Sequence, residues 1–463
     1  MNVLGIPSVE AVLEQPAVRT LLGSLRREVV VECVRECVAA LRAERLGGRA
    51  AAPEGGDVAA LVAARVAERL KPSQPSSLRR VVNATGVIIH TNLGRAPLSE
   101  TVAAAIAKTA RGYCNLEVDV ESGERSNREA HVAGLLARLS GAEAATVANN
   151  NAAATLLALT ALAAGRRVLC SRGELVEIGG SFRLPEVIAC SGAQMVEVGT
   201  TNHTRLGDYE AALAAGPAAA VLKVHRSNFR IVGFTSEPPL KDLAALAHRA
   251  GALLIFDAGS GLLLPNPHPV FAGEPVVRQV VAEGADLVTF STDKLLGGPQ
   301  GGAIVGREPL IRSISRHPLK RALRVGKLTL AGIEATLAAY LEAAEWPGTV
   351  VMHLIQRPVE ELEADARALA EAIGEAAPGW TAHVEADESS VGGGSLPGET
   401  LPTAVVWLEA PGLAAGELDQ AFRLNEPPIF GRFRKGRFGL DLRTLLPGDA
   451  ADIVACARRL SKQ

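Results

Sequence analysis

The chain has 463 residues, with 48 Lys+Arg against 50 Asp+Glu, a net charge of −2, and only 3% aromatic residues. Near-neutrality argues against a surface coated in basic charge, though not against a local basic patch, and the length predicts two or three domains. Its six cysteines (Cys33, Cys37, Cys114, Cys170, Cys190, Cys456) form no C-x-x-C pair or Cys/His cluster that would suggest zinc, and no signal peptide or membrane-length apolar run is present. A reducing cytoplasm is the default expectation, and no metal site is expected.

Residues 1 to about 70 read as wholly helical. Ser8 opens one helix, Leu21 to Leu46 carries apolar residues at helical spacing, Gly47-Gly48 stops it, and Val58 to Leu70 forms another. Cys33 and Cys37 share a helix face and read as packing residues. Residues 1–80 hold 12 Lys+Arg against 9 Asp+Glu, a weak basic bias of the kind a solvated face shows. Lys71-Pro-Ser-Gln-Pro-Ser-Ser has a linker's composition and marks a domain boundary.

A short strand then opens into a glycine-punctuated loop, Thr85-Gly86 through His90-Thr-Asn-Leu-Gly94-Arg95, before a helix from about Ser99. Arg95, between small neighbours, reads as an anion contact or as an ordinary surface arginine. The apolar segment Ala144–Ala148 leads to Asn149-Asn150-Asn151-Ala152 and an alanine-rich helix, an arrangement that offers unpaired N–H groups to a phosphate. A plain asparagine N-cap is the competing reading.

From there the chain alternates short apolar strands with helical patterns. The expected strands are Arg167 to Cys170, Val187 to Ala189, Gln194 to Val198, Ala219 to Val224, Ala252 to Phe256 and Asp286 to Phe290. This is the pattern of a largely parallel sheet covered by helices, an α/β fold whose ligands gather at the carboxyl ends of strands. His225, Asp257 and the Ser291-Thr292-Asp293-Lys294 run all fall at such ends. A lysine there, desolvated among glycines, can form a Schiff base, and a strand-end aspartate can hold a pyridine nitrogen protonated. Either residue alone is usually a surface or turn residue; the asparagine turn, Asp257 and Lys294 in this order point to pyridoxal 5′-phosphate (PLP). Ser291-x-x-Lys294 also fits a serine-acylase motif, but the companion S-D-N and K-T-G motifs are absent. The basic run Arg316 to Lys327 reads as a solvated helix face or an anion site. A smaller C-terminal domain follows, with a glycine-rich hairpin-like piece at Ser389 to Glu399 and two strands joined at Lys435-Gly436.

Five segments carry a resemblance to a known family: Asn83-Ala-Thr-Gly through Arg95, Ser171 to Arg183, Gly199-Thr-Thr-Asn202, Asp293 to Gln300, and His317 to Arg324. Together they resemble bacterial selenocysteine synthase, the L-seryl-tRNA(Sec) selenium transferase family, over nearly the whole chain. The resemblance implies a fold-type I, aspartate-aminotransferase-like architecture. Residues 1–72 would be a helical tRNA-binding domain with its linker, 73–340 a large PLP-binding domain, and 341–463 a smaller α+β domain. It implies Lys294 as the Schiff-base lysine and Asp257 as the ring-nitrogen partner. Asn150, Asn151 and Ala152 would lie near the cofactor phosphate, with His225 and Ser291 also in the cofactor shell. Arg95, Arg321 and Arg324 would hold the phosphate-like group of selenophosphate. The implied reaction converts seryl-tRNA(Sec) to selenocysteinyl-tRNA(Sec) through an aminoacrylyl intermediate. The implied assembly is a ring of five dimers with sites between subunits, and Thr200, Thr201 and Asp208 match positions between dimers. Ala258, Thr292 and Phe229 depart from the family pattern, and Phe229 lacks the hydroxyl of the expected tyrosine. A PLP enzyme acting on a free amino acid or amino sugar, such as a lyase or aldolase, or a non-catalytic RNA-binding protein on the same scaffold, are the competing readings.

Overall fold

The computed structural model describes residues 5–46, 57–70, 77–179, 182–342 and 348–462. The chain divides into two compact units, Met1–Arg80 and Val81–Gln463. The first unit is helical, with α1 (Val9–Leu13), α2 (Pro16–Leu22), α3 (Arg27–Leu46) and α4 (Val58–Arg69). Ser8 caps α1 by accepting from the Ala11 N–H, and Asp57 caps α4 by accepting from Ala59 and Ala60. Val30, Cys33, Val34, Cys37 and Leu41 recur at three- and four-residue spacing on α3 and pack with Val62, Ala63 and Val66 of α4. The two cysteines are thus core residues, as their shared face suggested. The Gly47-Gly48 stop and most of the expected linker lie outside the described residues.

The second unit is built on two sheets. Strand β1 (Val87–Ile89) belongs to the smaller one. The larger contains β2 (Ala144–Ala148), β3 (Arg167–Ser171), β4 (Gln194–Val198), β5 (Ala220–Val224), β6 (Leu253–Gly259), β7 (Leu287–Ser291) and β8 (Gly302–Gly306). Its order is β2-β8-β7-β6-β5-β3-β4. Only β8 runs antiparallel to its neighbours; every other pairing is parallel. Every residue of β5, β7 and β8 is buried, which is why β5 and β7 read as largely apolar runs. Helix α5 (Asn151–Ala163) follows β2 directly.

Two expectations about elements change. Val187 to Ala189 is not a strand but part of the helix Leu184–Cys190, where Pro185 starts the turn and Leu184 and Ile188 bury one face. Strand β8 was not expected, because its short run is bracketed by glycines. Gly302 is needed there: a Cβ would stand 2.1 Å from the Asn150 carbonyl oxygen, so its absence lets β8 pass under the asparagine turn.

Helix α6 (Pro318–Ala322) carries the basic run, and α7 (Lys327–Glu342) follows it. After α8 (Val359–Ala376) come β9 (Thr381–Gly392), β10 (Thr400–Glu409), β11 (Arg432–Arg434) and β12 (Arg437–Asp441). The second sheet is ordered β11-β12-β10-β9-β1. Leu362, Ala366, Leu369 and Ile373 of α8 pack against Val406, Leu408, Phe438 and Leu440. Lys435 (φ 50°) and Gly436 (φ 74°) make the tight turn of the β11–β12 hairpin, as their sequence suggested. Strand β1, near the start of the second unit, joins this sheet. Val82–Asn83 pairs with Ile429–Phe430 and β1 pairs with β9, so backbone hydrogen bonds hold the loop ending in Arg95 to the C-terminal part. No helix of the described residues is long and apolar enough to cross a membrane.

Candidate active site

Lys294 lies three residues beyond β7 and is 8% exposed. Its Nζ makes one long hydrogen bond, 3.4 Å to the Gly259 carbonyl at the end of β6. The other side is bounded by Gly394, in the connection between β9 and β10, where a Cβ would stand 2.8 Å from Nζ. Burial pushes the Lys294 pKa below the ordinary lysine range; Asp293 and Asp257 oppose the shift and Arg95 adds to it. Arg95, with φ 67°, reaches Asp293 at 2.5 Å and so joins the Lys294 cluster from the loop after β1.

Asp257 sits in β6 with its carboxylate enclosed by donors. Oδ1 accepts from Asn151 Nδ2 at 2.8 Å and from the Gly259 N–H at 3.1 Å, and Oδ2 accepts from Thr155 Oγ1 at 3.1 Å. Burial raises its pKa, against which these donors and Lys294 act. Asn151 and Thr155 stand one turn apart on α5, so one helix face serves one carboxylate. Asn150 is the N-cap of α5, accepting from the Ala153 N–H at 2.8 Å. The cap reading of that asparagine therefore holds, while the Asn151 side chain is aimed at Asp257. Ala152 lies in the first turn, where backbone N–H groups lack helical partners.

His225 follows β5 and its N–H donates to the Asp257 carbonyl at 2.9 Å. Its Nε2 is 3.2 Å from Glu274 Oε2, yet makes no well-formed hydrogen bond. Glu274 is buried and accepts from Ser260 Oγ. Ser291, the last residue of β7, is also buried. Sequence reasoning missed Thr155, Ser260, Glu274 and Gly394. Only Thr155 carried a signal, its spacing of four from Asn151; the others come from loops whose approach no local pattern encodes.

The arginines do not all converge in a single chain. Arg321 and Arg324 line a cleft of about 480 Å³ with Glu117, Arg125 and Arg128, and neither Arg95 nor Lys294 lines it. Arg324 is 3.9 Å from Glu117, and Arg321 makes no ion pair among the described residues. Asp208 accepts from the Arg205 N–H at 2.7 Å, capping its own helix, and Thr200 Oγ1 donates to the His203 carbonyl at 2.9 Å.

Known proteins extend this picture. A solved structure of D-glucosaminate-6-phosphate ammonia-lyase matches with a TM-score of 0.57 at 24% identity, over 84% of this chain and 99% of that chain. It bears on the fold alone, which is the fold-type I architecture the resemblance implied. The family profile for L-seryl-tRNA selenium transferase matches residues 81–446, and that for the selenocysteine synthase N terminal matches residues 5–42. The L-seryl-tRNA(Sec) selenium transferase of Geobacter sulfurreducens is 45% identical over 98% of both chains. That of Geobacter metallireducens is 46% identical over 98% of both. Because the likeness runs through both units and nearly every residue, the chain belongs to the L-seryl-tRNA selenium transferase family.

Proposed function

We propose that this chain converts seryl-tRNA(Sec) to selenocysteinyl-tRNA(Sec) at the site around Lys294, with PLP as cofactor and selenophosphate as the selenium donor. Family membership supports the reaction. The observation that carries the site is a buried Lys294, poor in hydrogen bonds, within electrostatic reach of a buried Asp257.

The residues fit PLP. Lys294 Nζ is held by one long bond, Asn151 Oδ1 is buried without a partner among the described residues, and the N-terminus of α5 offers N–H groups to a phosphate. Lys294 would carry the cofactor, Asp257 its ring nitrogen, and Asn150, Asn151 and Ala152 its phosphate, with His225 and Ser291 beside it. When bound, PLP supplies an electron sink for the electron pair released at the serine Cα, provided its ring nitrogen stays protonated. Asp257 is the carboxylate that keeps that proton in place. Once the serine amine has released it from the cofactor, Lys294, favoured in its neutral form by burial, would take the Cα proton and return it after the β-hydroxyl has left as water and selenium has taken its place, the donor's phosphate group leaving as inorganic phosphate. Arg95, Arg321 and Arg324 present planar donor forks to the donor's phosphate-like oxygens. Arg321 and Arg324 line a cleft that Arg95 does not, and a ring of five dimers would let the three meet across subunits. The N-terminal helical unit binds the tRNA.

Replacing Lys294 with alanine tests the assignment. The variant is expected to lose both the absorbance of lysine-bound cofactor and formation of selenocysteinyl-tRNA(Sec). Product formation by Lys294→Ala protein would sink it.

A further inference from the structure

Helix α6 has only five residues, too few to hold itself in place by its own hydrogen bonds. It carries Arg321 and leads to Arg324, so something else must fix where those side chains start. Lys320, between them and the sheet, is 7% exposed. Its Nζ donates to the carbonyl oxygen of Val147 in β2 and pairs with Glu129, whose other carboxylate oxygen accepts from Thr146 Oγ1 of the same strand. Two further ties follow along the chain. The Asn149 N–H donates to the Leu323 carbonyl at 3.0 Å, and Arg128 Nη1 donates to the Val325 carbonyl at 3.0 Å. Arg128 is itself held by Glu117, with Nε 2.9 Å from Oε1.

We propose that Lys320 is a positioning residue for the selenium donor: by anchoring α6 to β2 it sets where Arg321 and Arg324 stand in their cleft. A buried ion pair is no more stabilising than apolar packing of the same volume, but it is directional. It holds one backbone at one register against another. The anchoring strand is the one that leads into Asn149 to Asn151, so the arginine segment and the asparagine turn are set from the same strand. This inference rests on the reading of Arg321 and Arg324 as donor-binding residues.

The test uses the full-length, cofactor-loaded enzyme, with selenophosphate varied at saturating seryl-tRNA(Sec). Lys320→Met alone strands Glu129, so Lys320→Met/Glu129→Gln is measured beside it, with Arg321→Ala as a control. Both Lys320 variants are expected to raise KM for selenophosphate by about tenfold with kcat within about twofold, the scale of one misplaced charge-assisted contact. Cofactor absorbance and KM for seryl-tRNA(Sec) stay unchanged, and thermal stability recovers in the double variant while the raised KM persists. A double variant with wild-type KM overturns the proposal, because Lys320 would then only neutralise Glu129. A changed cofactor absorbance overturns it too, since the lysine would be acting through the asparagine turn. If Arg321→Ala also leaves KM unchanged, the donor-binding reading fails and takes the anchor with it; if only Arg321→Ala raises KM, the anchor alone fails.

Discussion

At Asp257 the demands of stability and of chemistry oppose each other. Its folded-state pKa is raised above 3.8 by burial. The folded protein therefore binds more protons than the unfolded chain, and this carboxylate costs stability progressively as pH rises from 3.8 through the raised value. A cation placed beside the carboxylate would offset that cost. Asp257→Asn, studied without cofactor, is expected to have a urea midpoint that varies less with pH in that window and is no lower than wild type at neutral pH. Its activity with PLP should fall by about a hundredfold or more, the scale of removing one electrostatic stabiliser. Urea titrations at several pH values and single-turnover assays check both halves. A variant less stable at neutral pH would show that the Asn151 and Thr155 bonds outweigh desolvation.

At the scale of elements, the join between β2 and α5 brings most of the site together. One asparagine caps the helix, the next holds Asp257, and Gly302 leaves room for β8 beneath them. Asn150→Ala should cost about 1 kcal/mol, as loss of an N-cap bond does. It should also weaken PLP affinity, because the first turn of α5 loses its fixed entry. Thermal unfolding and a PLP titration read the two effects; unchanged PLP affinity would place the phosphate elsewhere. The strands read best from sequence were those buried on both faces, since a continuous apolar run needs little context. Val187 to Ala189 misled because a three-residue apolar stretch looks the same in a strand and in a short helix, and only the burial of Leu184 with Ile188 decides. Strand β8 was invisible because its glycines answer to the turn above it rather than to strand propensity.

For the whole molecule, the helical unit and the catalytic unit each have a core of their own. A chain starting near Ser77 is therefore expected to keep its fold and the absorbance of lysine-bound cofactor. It should lose selective binding of seryl-tRNA(Sec) over seryl-tRNA(Ser), compared with the full chain at one salt concentration. Retained selectivity would move tRNA recognition into the catalytic unit. Equal binding of both tRNAs by the full chain would favour a small-molecule substrate.

The sequence by itself determined the class of fold and the helical N-terminal unit, and it singled out Lys294 and Asp257 as candidates at strand ends. These follow from local patterns: strand-length apolar runs, helical periodicity, and reactive residues at strand ends. Tertiary structure alone decided which distant groups meet them. Gly394 bounds the lysine, Glu274 faces His225, and Lys320 reaches back to β2. It also decided that β1 joins the C-terminal sheet and that Arg321 and Arg324 stand apart from Arg95 within one chain. Contacts between residues tens to hundreds of positions apart depend on how sheets stack and loops cross, and no spacing along the chain records that.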